Sequence, residues 1–156
     1  VDLRRPHENL KVSEHVADDE AARLVASLRL EASVHLLGQQ PDVTVAARSQ
    51  GARLLVLPSS FEGFGIPVLE AFRLGVPVAC SDLPALRESA GGAALLFDQG
   101  DEAAVAAALE RLWSDAELRA RLVAAGSVAA RRFPAGEVVP RYAAMLREAA
   151  ASACRG

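Results

Sequence analysis

Cysteine is scarce in this sequence and lysine scarcer still. The two cysteines among 156 residues, Cys80 and Cys154, are too few for the disulfide framework of a small secreted domain. Val1 to Arg5 lacks the basic, apolar and small-residue order of a signal peptide, so a reducing, cytoplasmic location is expected. No run comes near the ~20 uninterrupted apolar residues that a membrane-spanning helix needs. Lys11 is the single lysine among 17 basic residues, and with abundant alanine this has the bias of GC-rich bacterial coding. The arginines are spread along helical segments and the formal net charge is -3, so the electrostatic footprint of a nucleic-acid binder is missing. Repeats and low-complexity tracts are also absent. What remains is 51% hydrophobic and 24% charged, which excludes a disordered tail and suits one domain with a sizeable core.

Short apolar runs alternate with longer helical patterns. Ser33–Leu37, Arg53–Leu57, Val76–Cys80 and Ala94–Phe97 read as strands, and their lack of polar alternation suits parallel strands covered on both faces. Asp19–Leu28, Asp42–Ser49, Pro67–Leu74 and Ala85–Ala90 read as the intervening helices. The order argues for an α/β fold, a Rossmann-like doubly wound parallel sheet. After Asp98 the strands stop, and residues 101–156 read as a helical C-terminal portion of the same domain. Asp101–Trp113 carries Val105, Leu109 and Leu112 on one face; Ser114-Asp115-Ala116-Glu117 reads as a capping box opening a helix that Gly126 closes. Val138, Tyr142, Met145, Leu146 and Ala149 form the apolar stripe of a last helix. Between Leu10 and Ser33 there is room for one helix but hardly for a further strand.

The chemistry gathers between Pro58 and Ala71. This segment leaves a strand and opens a helix, which puts a glycine-bearing turn at the carboxyl edge of the sheet, where open α/β sheets bind ligands. Gly63 and Gly65 permit close backbone approach, and the free N–H groups of the helix start favour an anion such as a diphosphate. Pro67 fits the first helical turn and Gly75 the helix end. Glu62 and Glu70, with seven residues between them, bracket the turn and could accept hydroxyl hydrogen bonds from one ligand.

In these residues the chain resembles the retaining glycosyltransferases of family four, which have the two-domain GT-B fold. The likeness is carried by Glu62-Gly63-Phe64-Gly65-Ile66-Pro67-Val68-Leu69-Glu70-Ala71. It extends through Arg4–Leu10, Val34–Gly38, Gly51–Ser59, Val76–Asp82 and Leu86–Asp98, blocks that follow one another as in the C-terminal half of that family. The resemblance implies one half of a GT-B fold, with residues 1–156 a single nucleotide-sugar-binding domain. It also implies a nucleotide diphosphate sugar as donor substrate, with no further cofactor. The residue matching Glu70 then holds the ribose hydroxyls, and the one matching Glu62, the catalytic candidate, contacts the donor sugar. Backbone amides of Gly63, Phe64, Gly65, Ile66 and Val68 hold sugar and diphosphate, Leu37 and Gly38 approach the base, and Arg4 or Arg5 neutralises the diphosphate.

The sequence departs from the family pattern in places. Glu8 stands where the related pattern has a lysine beside the diphosphate, which reverses the charge. The stretch from Leu10 to Ser33 is short, as though the second strand and part of a helix were lost. The first strand is truncated at Val1, and the acceptor-binding N-terminal half is expected to be a missing partner domain. Two readings stay open: the donor-binding half of a retaining glycosyltransferase, or a non-catalytic nucleotide- or sugar-binding module. A signalling domain on a flavodoxin-like sheet lacks the acidic cluster it would need. His7, His15 and His35 have no metal-ligand spacing, Ser59 and Ser60 form no nucleophile elbow, and Cys80 reads as a small buried apolar residue.

Overall fold

The structure, a computed structural model, describes residues 10–13, 18–38 and 49–134. Arg4, Arg5, His7, Glu8, Cys154, the stripe from Val138 to Ala149 and all but the last residue of the helix expected over Asp42–Ser49 lie outside them. Two parallel ladders are present among the described residues. The first pairs β1 (Leu10–Ser13) with β2 (Val34–Gly38), joined through α1 (Asp18–Ser27). The second has the order β3 (Leu55–Leu57), β4 (Val78–Ser81), β5 (Leu95–Phe97). Its connections are α2 (Ile66–Arg73) between β3 and β4, and α3 (Pro84–Ala90) between β4 and β5. Then come α4 (Glu102–Ser114) and α5 (Ala116–Ala130). Among the described residues no helix is long and apolar enough to cross a membrane.

Alternation along β3 and β4 builds a core on each face. Leu55, Leu57, Val78 and Cys80 join Val68, Phe72, Leu86, Ala129 and Ala130 from α2, α3 and α5. Val56 and Ala79 point the other way, to Phe97, Ala108 and Leu112, so α4 covers the second face. Helices on both faces of a parallel sheet make this ladder doubly wound, as the sequence pattern predicts. Both faces of β4, the central strand, are covered, and every one of its residues is buried. The expectation that every strand is so covered is corrected at β2, where His35 and Leu36 are exposed.

Three further expectations need correction. Leu10–Ser13 is a strand, parallel to β2 with a register shift between Val12 and Ser13. A ten-residue α1 is short enough to complete a βαβ unit between Leu10 and Gly38. The cap of α5 is Asp115, whose carboxylate accepts the Leu118 N–H at 2.8 Å. Ser114 instead ends α4, its hydroxyl donating to the Glu110 carbonyl at 2.8 Å. Finally, Gly126 does not close α5, which runs on to Ala130. A Cβ there would lie 2.6 Å from Phe72 Cδ1, so the missing side chain lets α5 lie close on α2 rather than ending a helix.

Candidate functional site

The Glu62–Glu70 segment leaves β3 at its carboxyl end and enters α2. Gly65 is the N-cap, with φ 86° and ψ 44°, a left-handed backbone that glycine adopts without a steric penalty. No side chain caps this helix start, and Pro67 sits in its first turn. The amides of the turn divide into two groups. The Gly63 N–H donates to the Glu62 Oε1 at 3.1 Å, the Val68 N–H donates to the Gly65 carbonyl at 3.0 Å, and Pro67 has none to offer. The N–H groups of Phe64, Gly65 and Ile66 have no acceptor among the described residues. Three donors at the positive end of a helix dipole are therefore available to an anion.

The turn is held on two sides. The Phe64 ring meets the Phe133 ring edge-on, with centroids 5.2 Å apart and an interplanar angle of 87°. Arg73 secures Phe133 by donating from Nη2 to its carbonyl at 2.7 Å. On the other side Gly65 is buried against α3: a Cβ on it would lie 2.6 Å from Leu86 Cδ2 and 2.9 Å from Ser89 Oγ. Gly63, by contrast, has open space around it. Around this frame Phe61 is 87% and Ile66 60% exposed, and the Glu70 carboxylate is exposed and without a partner among the described residues.

The carboxyl end of β4 adds charge to the same edge of the sheet. Asp82 and Arg87 form a two-pronged ion pair, Nε to Oδ1 and, at 2.6 Å, Nη2 to Oδ2. The hydrogen bond from Arg87, helped by its charge, holds the Asp82 carboxyl below the usual carboxylate range. Both groups are solvated, so the pair fixes geometry more than it stabilises the fold. Cys80 lies inside β4, and burial, aided by the Asp82 charge, pushes its thiol up to about 11, as expected of a packing residue rather than a nucleophile.

Seven of the residues singled out in the sequence, Glu62, Gly63, Phe64, Gly65, Ile66, Val68 and Glu70, therefore form one continuous structural unit. Leu37 and Gly38 sit at the carboxyl end of β2, in the other ladder, with Gly38 left-handed at φ 59°. Arg4 and Arg5 lie outside the described residues. Sequence reasoning does not single out Leu86 and Ser89, which pack against Gly65. Both fall within the Leu86–Asp98 block of the resemblance, and their three-residue spacing puts them on one face of α3.

Comparison with known proteins bears on the family and the fold. The family described as glycosyl transferases group 1 matches residues 14–128. The O-antigen chain mannosyltransferase B of Escherichia coli is 37% identical over 116 residues, which is 74% of this chain and 30% of that protein. Among solved structures, the sucrose-phosphate synthase of Thermosynechococcus elongatus superposes with a TM-score of 0.77 at 23% identity, over 92% of this chain and 38% of that one. The Anabaena protein HepE, solved in complex with UDP, gives 0.70 at 23% identity, over 83% and 36%. The chain thus spans about a third of the length of the proteins it matches, and its fold is one that GT-B glycosyltransferases share. From the ordered blocks, the strand-turn-helix geometry and the family match, the chain belongs to the glycosyl transferases group 1 family.

Proposed function

We propose that this chain is the donor-binding part of a retaining glycosyltransferase that moves a sugar from a nucleotide diphosphate sugar to an acceptor hydroxyl. The observation that carries the reading is the trio of N–H groups, Phe64, Gly65 and Ile66, without an acceptor among the described residues, on a turn bracketed by Glu62 before it and Glu70 in the helix that follows. Those donors, aligned with the dipole of α2, suit the diphosphate and stabilise the charge that grows on it as the sugar departs. Glu70, exposed on α2, suits the ribose hydroxyls. Glu62 keeps one oxygen on the Gly63 N–H and offers the other to the sugar, which orients it for transfer. The bound UDP of the Anabaena neighbour supports a nucleoside diphosphate as the core of the ligand. The acceptor is assigned to a partner domain outside these 156 residues, since the matches cover only about a third of the related proteins. A cytoplasmic setting agrees with the unpaired, buried Cys80.

Titration of the chain with UDP and GDP tests the reading. At least one should bind, and Glu70→Ala should weaken it by ~1.5–3 kcal/mol, the range for hydrogen bonds to a charged group. Wild-type affinity in that variant would remove Glu70 from the ribose. The 156 residues alone should transfer no sugar to an added acceptor, and observed transfer would overturn the assignment of the acceptor to a partner domain.

A further inference from the structure

We infer that α3 sets the turn from behind, with Leu86 and Ser89 as positioning residues for the N–H groups of Phe64, Gly65 and Ile66. The inference rests on the donor-binding reading and adds the part of the fold that aims those donors. Leu86 and Ser89 are both fully buried. Among the described residues the Ser89 hydroxyl has only a long bond, 3.3 Å, to the Leu86 carbonyl in its own helix, so its burial gains little from hydrogen bonding there. What the side chain does provide is a small, hard surface against Gly65. A Cβ on Gly65 would come within 2.6 Å of Leu86 Cδ2 and 2.9 Å of Ser89 Oγ, so the turn lies on α3 with no slack. Added bulk at either position pushes on Gly65, and lost bulk removes the surface against which it rests.

That displacement reaches the donors directly. Gly65 is the N-cap of α2 and its carbonyl accepts the Val68 N–H, so its orientation fixes the first turn of the helix and the peptide planes around it. Hydrogen bonds lose strength as their angle falls, and a site must be held within about 0.5 Å to work. The helix that does the holding is itself tied to the sheet. Asp82, which grips Arg87 on α3, donates its backbone N–H to the Phe97 carbonyl of β5 at 2.8 Å. A chain of packed groups thus runs from the ends of β4 and β5 through α3 to the turn.

The test uses the 15N-labelled full chain and the amide resonances of Phe64, Gly65 and Ile66, read without ligand and then during titration with UDP and GDP. Ser89→Val adds bulk against Gly65; Ser89→Ala, which adds none, keeps the test open if the first variant unfolds. Both should move the three resonances, and Ser89→Val should weaken nucleoside diphosphate binding about tenfold or more. Leu112→Ala, equally buried but in the core beneath α4, should lower the melting temperature and leave resonances and affinity as in wild type. Unmoved resonances in both Ser89 variants overturn the inference, as does an equal loss of affinity in Leu112→Ala. Failure of wild type to bind either nucleotide would instead sink the donor-binding reading, while the resonances still decide whether α3 sets the turn.

Discussion

Replacing one glycine of the turn by alanine should unbalance the fold, and replacing its neighbour should not. At Gly65 the backbone is left-handed, with φ +86°, and a Cβ would overlap Leu86 Cδ2 and Ser89 Oγ. The left-handed conformation costs alanine roughly 1–2 kcal/mol. Forcing a methyl into a closed contact costs ~1–3 kcal/mol more. Stiffening of the unfolded chain returns ~0.4–1 kcal/mol. The net for Gly65→Ala is a loss of about 1–5 kcal/mol, a substantial part of the ~5–15 kcal/mol that holds a domain folded. Gly63→Ala meets nothing within 4 Å and has no positive φ, so it should stay within ~0.5 kcal/mol of wild type. Urea denaturation of the three proteins, compared at unchanged m-value, reads the difference directly. A double-mutant cycle adds a second check, because Leu86→Ala removes the methyl that the new Cβ strikes. Its cost combined with Gly65→Ala should fall short of the two costs added together. Equal stability of Gly65→Ala and Gly63→Ala would refute the packing of the turn on α3.

Two further outcomes follow from the core. Gly126→Ala gains about 1 kcal/mol of helix propensity, yet its Cβ would strike three atoms of the buried Phe72 ring at 2.6, 2.9 and 3.2 Å. Overpacking at the upper end of its range should win, and thermal unfolding should show a lowered melting temperature where an open helical site would show a raised one. Cys80 should resist iodoacetamide at pH 8 in a Cys154→Ser background until denaturant is added. Since the folded thiol titrates near 11, above its ordinary 9.0, the stability it contributes is complete below pH 9 and lost as pH rises towards 11. The wild type should therefore lose more stability than Cys80→Ala across that interval, and parallel losses would contradict the assigned burial.

Most of the fold is legible in the sequence because the elements from β2 onward announce themselves locally. The apolar runs that become β3, β4 and β5 sit between Pro, Gly and Asp, and the helices between them begin and end where such residues allow. The elements misread are those decided by tertiary contact. Leu10–Ser13 is strand because a parallel partner, Val34–Gly38, is available, and four residues alternating with lysine carry too little pattern to say so alone. At Gly126 local chemistry favours a helix end, and the Phe72 ring beneath it is the reason for a glycine within the helix. Ser114 and Asp115 are both good caps, and the one-residue link between α4 and α5 leaves only Asp115 in the capping position.

The candidate site divides along the same line. Glu62, Gly63, Gly65 and Glu70 are close in sequence, so their spacing alone puts the first three on one turn and Glu70 in the helix it opens, and the strand before and helix after say which edge of the sheet the turn occupies. Sequence shows two glycines there and cannot rank them. Only the packing separates Gly63, open to solvent and replaceable, from Gly65, constrained both by its own dihedral angle and by Leu86 and Ser89 on another helix. The same separation holds among the donors. Six positions from Gly63 to Val68 look alike as backbone, but one has no N–H, and two are already engaged by Glu62 and by the turn itself. On the proposed reading, the geometry therefore leaves the anion to Phe64, Gly65 and Ile66, the three peptides whose N–H groups have no acceptor among the described residues.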